Sequence, residues 1–113
     1  MEKNELIRLE TVVGSTRNAN GFREKEETAQ TEVFCAVKSV TGQEFYDAQR
    51  SGTRADIIFV VDRDDLEMAS RIVGGKKIQP SRVIHDGTTY SIIRGYAHEK
   101  RPYDLELTCE EVE

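Results

Sequence analysis

The side chains with which this sequence could do chemistry are two histidines, two cysteines and a cluster of aspartates. His85 stands before an Asp-Gly turn and His98 before a Glu-Lys-Arg-Pro turn. Either would act as a general base only with a nucleophile in hydrogen-bond reach. The sequence has no Gly-rich phosphate loop, no nucleophile elbow and no pair of histidines at ligand spacing. Cys35 and Cys109 both fall on expected strands, and the opening MEKNELIR lacks the apolar stretch of a secretory signal. Buried free thiols are therefore expected rather than a disulfide. A metal site would need more ligands at regular spacing, so no metal and no cofactor is expected. Asp62, Asp64 and Asp65 could hold a cation in principle, but without an EF-hand-like frame they read as a solvated turn after a strand. Glu110, Glu111 and Glu113 read as a solvated acidic end. The expectation is a protein that is not an enzyme.

Composition narrows the class further. A chain of 113 residues fits one domain, 1–113, with one modest core. Tryptophan is absent and a third of the residues are charged, so Ile, Val and Leu must build that core. The net charge of −5 argues against a wide nucleic-acid footprint, which rests on clustered Lys and Arg. No run approaches the ~18 apolar residues of a spanning helix, so a soluble protein is expected.

The best-specified stretch runs from Cys35 to Asp62 and reads as strand, short helix, strand. Thr41 is placed to cap the N3 amide of a helix over 43–51, and Glu44 to bond back to the Thr41 amide. Val40 and Phe45 have the spacing of a hydrophobic staple, and Gly52 can take the left-handed conformation that ends a helix. Phe45 and Ala48 are expected to face the strands. A helix of this length, ~13 Å, is too short to stand alone and must be held by its neighbours.

Around it the alternation gives strands. The first is Leu6–Val13, with Ile7, Leu9, Thr11 and Val13 on one face and Arg8 and Glu10 on the other. Residues 14–28 lose the alternation and read as a long polar hairpin connection, mobile at its tip, with Asn20-Gly21 as its turn. Ala29–Val40 is the second strand, apolar on both faces, and Ala55–Asp62 carries IIFVV, the pattern of a central strand. A short helix with Leu66, Ala69, Ile72 and Val73 on one face follows, ended by Gly74-Gly75, then a loop over 76–81. Arg82–His85, Asp86-Gly87 and Thr88–Ala97 form a hairpin with a type I′ turn, and Gly95 marks a bulge or a close backbone approach. The last strand places Tyr103, Leu105, Leu107 and Cys109 inward and Asp104, Glu106, Thr108 and Glu110 outward. The expected fold class is mainly β, a small antiparallel β-barrel of about six strands with one or two short helices.

Three pieces stand in sequence: Gly42-x-Glu44-Phe45-x-x-Ala48-Gln49, the hairpin Arg82-Val83-x-x-Asp86-Gly87-x-x-Tyr90-x-Ile92, and Leu107-x-Cys109-Glu110. In their order and spacing they resemble the head–tail joining proteins of long-tailed bacteriophages and prophages, the head-closure or stopper proteins. The resemblance covers nearly the whole chain. It departs between Arg63 and Ser81, where the segment is longer than the short link before the hairpin. It implies a structural virion component that assembles as a homo-oligomeric ring between the portal or adaptor and the tail. Such a ring closes the head after DNA packaging and offers a surface to the tail. Packaged DNA is then only the content of its channel. The implied location is the head–tail junction of the virion, assembled in the host cytoplasm, with no membrane.

The segment 41–54 is similar in position to the partner-contacting loop of that family. Gln43, Tyr46, Asp47, Gln49 and Arg50 are thus expected to contact neighbours, with Arg17, Asn20, Arg23 and Lys25 as contacts of the long polar connection. For Glu44 and Phe45 the cap and the core are sufficient explanations. Two other classes stay open: a small barrel binding single-stranded nucleic acid on Tyr46, Tyr90, Tyr96 or Tyr103, and a small enzyme.

Overall fold

The computed structural model describes residues 2–17, 23–97 and 103–112, with the backbone alone at 15–17, 23–25, 96 and 97. Eight strands and two helices follow in the order β1 (Glu5–Arg17), β2 (Arg23–Lys38), α1 (Gly42–Arg50), β3 (Ile57–Asp62), α2 (Arg63–Ala69), β4 (Arg71–Val73), β5 (Lys76–Ile78), β6 (Arg82–His85), β7 (Thr88–Ala97) and β8 (Asp104–Glu111). Six of them close an antiparallel barrel in the order β1-β2-β3-β8-β7-β6, and β4 and β5 make a separate two-stranded sheet. The expected fold class is the observed one.

Alternation decides which side chains fill the barrel. Ile7 and Leu9 of β1, Val33 and Cys35 of β2, Phe59 and Val61 of β3, Val83 of β6, and Leu107 and Cys109 of β8 are buried in one cluster with Ala69 of α2. Thr11 shares that inward face, and its hydroxyl donates to the Ala69 carbonyl at 2.9 Å, satisfying the end of α2. The unbroken IIFVV run is explained by cover on both sides of β3. Phe59 and Val61 point inward, while Ile58 and Val60 form an outer cluster with Ala36, against which Val40 packs.

The hairpin of β6 and β7 turns where the sequence places it. Asp86 and Gly87 both have positive φ, 50° and 79°, as a type I′ turn requires. The irregularity in the β7–β8 ladder lies between Ile92 and Arg94. Gly95 itself is paired with Leu107, and a Cβ there would meet the Leu107 Cδ2 at 3.4 Å, an ordinary side-chain contact, so neither the irregularity nor a close backbone approach falls on it.

Four expectations need correction. The polar stretch 14–28 is not an unpaired loop. β1 and β2 stay paired from Glu5↔Cys35 out to Arg17↔Arg23, with register shifts between Val12 and Gly14 and between Thr16 and Arg17. Beyond Glu10 no residue of β1 pairs with β6, and β2 pairs with β3 only over Ala36–Lys38. A two-stranded ribbon therefore leaves the barrel, and the radius of gyration, 15.1 Å, exceeds the ~13 Å of a compact chain of this size. Second, α2 ends at Ala69, because Ser70 takes an extended backbone, φ −72° and ψ 153°, while its amide and hydroxyl both bond back to the Leu66 carbonyl. Ile72 and Val73 lie on β4, and Gly74-Gly75, at φ 58° and 79°, turn a hairpin into β5 rather than stopping a helix. Third, Tyr103 precedes β8 and is 75 % exposed, not inward. Fourth, the outer face of β8 is not simply wet. Asp104 is 8 % and Thr108 1 % exposed, and Lys38 Nζ lies 3.0 Å from Glu106. The expected turns at 20–21 and 99–102 lie outside the described residues.

Candidate functional site, a helix fastened to the outside of the barrel

α1 is fixed at both ends by its own sequence. The Thr41 hydroxyl accepts from the Glu44 amide at 3.2 Å and donates to Glu44 Oε1 at 2.9 Å. The carboxylate thus returns to the Thr41 hydroxyl, where the capping box predicts a bond to the amide. At the other end Gly52, at φ 77°, lets the Gly52 amide donate to the Gln49 carbonyl and the Thr53 amide to the Ala48 carbonyl, at 3.1 and 3.0 Å. This is the paired closure of a Schellman motif.

Contacts from below hold the helix to β3 and β8. Thr108 Oγ1 donates to Glu44 Oε2 at 3.4 Å, Ala48 is buried, and Val40 leads into the helix from the outer cluster. Phe45 departs from its expected role as core filler. It is 42 % exposed, and its ring meets Tyr46 edge-on, centroids 6.1 Å apart. Tyr46 is 63 % exposed, Gln43, Gln49 and Arg50 are exposed, and Asp47 is half-buried, accepting from Gln43 Nε2 at 3.0 Å. The structure thus places the candidate residues on the exposed sides of α1, with Phe45 turned out beside Tyr46. A partly turned-out aromatic is hard to see in the sequence, because i, i+3 spacing names a face without saying how far the cover extends over it.

Of the second candidate group, Arg17, Arg23 and Lys25 lie on the strands of the ribbon, with side chains outside the described residues; Asn20 is itself outside them. The root of the ribbon is tied down by charge. Arg82 Nη1 donates to Glu10 at 3.0 Å and Glu26 at 3.1 Å, and Gln30 Nε2 donates to Glu10 at 2.9 Å. Burial would raise the Glu10 pKa, yet Gln30 and Arg82 hold it below the ordinary glutamate value.

The groups singled out for chemistry are otherwise engaged. His85 stacks edge-on to Phe59 at 5.4 Å and sits 3.4 Å from Glu5 Oε2; His98 is outside the described residues. Among the aspartates, Asp62 pairs with Lys3 at 2.9 Å, and burial, then Asp62 and Asp64, push Asp65 up. Among the described residues, no group of three or more His, Cys, Asp or Glu is placed to hold a metal ion. Of the tyrosines offered for base stacking, Tyr46 and Tyr103 are exposed and Tyr90 packs its ring on Phe59 at 5.3 Å; the Tyr96 side chain is outside the described residues. A cleft of about 340 Å³ opens beside α2, with Leu66, Ile92 and Leu107 among its lining residues.

Cys35 and Cys109 are free and buried, as expected. Burial pushes their thiols up to about 11 and about 12, so neither is a thiolate at neutral pH. Both should resist a thiol reagent in the folded protein and react at the rate at which the barrel opens. Prompt labelling at neutral pH without denaturant would contradict the packing.

The barrel is closed, and it carries a surface helix anchored at each end and aromatic on its open side. The sequence profile of the phage head completion proteins matches residues 2–112, and the chain belongs to that family. This makes it a structural phage head protein with its place in the virion. No curated protein matches the chain. Among the described residues, no helix is long and apolar enough to cross a membrane.

Proposed function

We propose that the protein assembles as a homo-oligomeric ring between the portal or adaptor of the filled head and the tail. There it closes the head after DNA packaging and provides the surface on which the tail docks. The observation that carries this reading is α1: capped, closed and hydrogen-bonded to β8, it still turns Phe45 and Tyr46 to solvent. Ordered aromatic side chains held at a surface are the usual anchors of an interface. In this reading Gln43, Tyr46, Asp47, Gln49 and Arg50 contact neighbours in the particle. Arg17, Asn20, Arg23 and Lys25 extend the contact. The net charge of −5 suits a ring through which DNA passes, because fixed negative charge repels phosphate. Assembly takes place in the host cytoplasm.

The test is the double variant Tyr46→Ala/Arg50→Ala. Both residues are exposed, so the melting curve should stay within ~0.5 kcal/mol of the original. A hot spot is worth ~2 kcal/mol, or about thirty-fold in affinity. The yield of tailed, DNA-retaining particles should fall accordingly. Normal yield from a normally folded double variant would remove α1 from the interface.

A further inference from the structure

The ribbon of β1 and β2 leaves the barrel at a break in its own ladder. Val12 pairs with Thr28 and Gly14 with Glu27, so Val13 stands as an extra residue of β1. An extra residue of this kind bends the strand that carries it and raises its twist. The last pair between β1 and β6 is Glu10 with Arg82. The bend therefore falls just beyond the edge of the barrel.

Arg82 reaches across that bend. Its Nη1 donates to Glu10 on the barrel side at 3.0 Å and to Glu26 on the ribbon side at 3.1 Å. Glu26 stands four residues along β2 from Gln30, the partner of Glu10, or ~13 Å in an extended strand. β2 is also two strands, ~10 Å, from β6. In a flat sheet the two Cα atoms would thus lie ~16 Å apart, the limit of what both side chains span at full stretch. Arg82 is not stretched towards Glu26, because the same nitrogen holds Glu10 directly opposite. The bond to Glu26 needs the ribbon curled towards Arg82. The side chains of Arg82 and Glu26 are 33 % and 35 % exposed, and an open hollow of about 610 Å³ bordered by Glu10, Arg82, Thr89 and Glu111 adjoins them. Salt and competing charges can therefore reach the pair.

We infer that Arg82 is an ionic latch on a hinged strap. With Glu26 bound, the ribbon is held in one direction; with Glu26 released, it swings about the break between Val12 and Gly14 while its root stays on the barrel. The two carboxylates have unequal parts. Glu10 is the fixed side, because Gln30 Nε2 also donates to it at 2.9 Å and its backbone carbonyl accepts from the Ser81 amide at 2.9 Å. Glu26, beyond the break, is the side that lets go. An ion pair this exposed is weak, which suits a latch that high ionic strength, or a partner's carboxylate brought to Arg82, can open. While closed, it lowers the entropy lost when the ribbon is contacted. The latch is a property of the single chain and stands apart from the ring reading.

Pulsed EPR distances on the full chain, spin-labelled through Lys25→Cys on the ribbon and Gln49→Cys on α1, test this. Cys35 and Cys109 are buried and stay unlabelled. At low ionic strength one narrow distance distribution is expected, and Arg82→Gln should broaden it roughly twofold. Glu26→Gln leaves the pair of Arg82 with Glu10 in place, and should give the same broadening with the melting temperature of the barrel unchanged. Salt at about 1 M, where the screening length falls to ~3 Å, should broaden the original chain and leave Glu26→Gln as it was. A distribution as narrow in Glu26→Gln as in the original would show that the break in β1 alone fixes the direction, and would overturn the latch. A broad distribution in the original chain at low salt would overturn it too. So would broadening that comes only with a lower melting temperature in both variants, because Arg82 and Glu26 would then be supports of the barrel.

Discussion

Phe59→Ala is expected to destabilise the barrel by ~3–5 kcal/mol. Phe59 is 0 % exposed and lies between two rings, with His85 at 5.4 Å and Tyr90 at 5.3 Å, both edge-on. Truncation removes the apolar transfer term, opens a cavity and deletes two aromatic contacts. Against a total stability of ~5–15 kcal/mol, this is a large fraction. At ~4 °C per kcal/mol for a domain of this size, the melting temperature should fall by about 15 °C. Phe59→Leu should recover part of the loss, because it refills most of the cavity without restoring the two ring contacts. Phe59 also flanks Ile58 and Val60, the outer residues beneath the entry to α1. A loosened β3 would therefore release the contact surface along with the core. Particle yield should fall in parallel with melting temperature, unlike the Tyr46/Arg50 pair, where yield falls alone. A shift of only a degree or two on thermal melting would show that the rings are not the centre of the core.

The elements legible in the sequence are those whose signal is local. Thr41, Glu44 and Gly52 specify α1 by caps, and Asp86-Gly87 specifies a turn by the φ values it tolerates. The double cover of β3 is written in IIFVV. The ribbon was not legible because residues 14–28 are nearly all polar and carry no alternation. Backbone pairing alone defines it, and pairing leaves no hydrophobic period to read. The β4–β5 hairpin was misread for a different reason. Leu66, Ala69, Ile72 and Val73 fit the spacing of a helix face, and only the β-branched pair before Gly-Gly hints at a strand and a type I′ turn. On the candidate site, the polar residues of α1 were visible as exposed positions, but the turned-out ring of Phe45 was not. The shared exposure of Leu6 and Phe34 likewise shows only once β1 and β2 are paired.

The buried Asp104 is the clearest case of a signal that no local reading supplies, and it yields the second large effect. A carboxylate on alternate strand positions looks like an outward, solvated group. Its partner, Lys3, is 101 residues away. Lys3 Nζ donates to Asp104 Oδ1 at 2.7 Å and lies 2.9 Å from Asp62 Oδ1, with side chains 19 %, 12 % and 52 % exposed. Lys3→Met keeps the stem and removes the ammonium facing a nearly buried charge. Breaking a fully buried pair costs ~3–5 kcal/mol. The half-exposed Asp62 and solvent screening reduce that here to ~2 kcal/mol. The pH dependence separates charge from packing. The hydrogen bond to Asp104, then that to Asp62, raises the Lys3 pKa above its ordinary 10.5. A raised lysine stabilises the fold fully below 10.5, and the contribution is lost as pH rises through the folded value. The original chain should therefore lose stability on the alkaline side of 10.5, while Lys3→Met starts lower and lacks that fall. The acid limb belongs to other groups. Glu10, lowered from 4.5, contributes above that value and loses its contribution as pH falls through its folded one. Asp65, raised from 3.8, has the opposite sign. Melting temperatures of the two proteins from neutral to strongly alkaline pH check the claim. Parallel alkaline limbs would show that Lys3 holds its end of the barrel by packing rather than by charge.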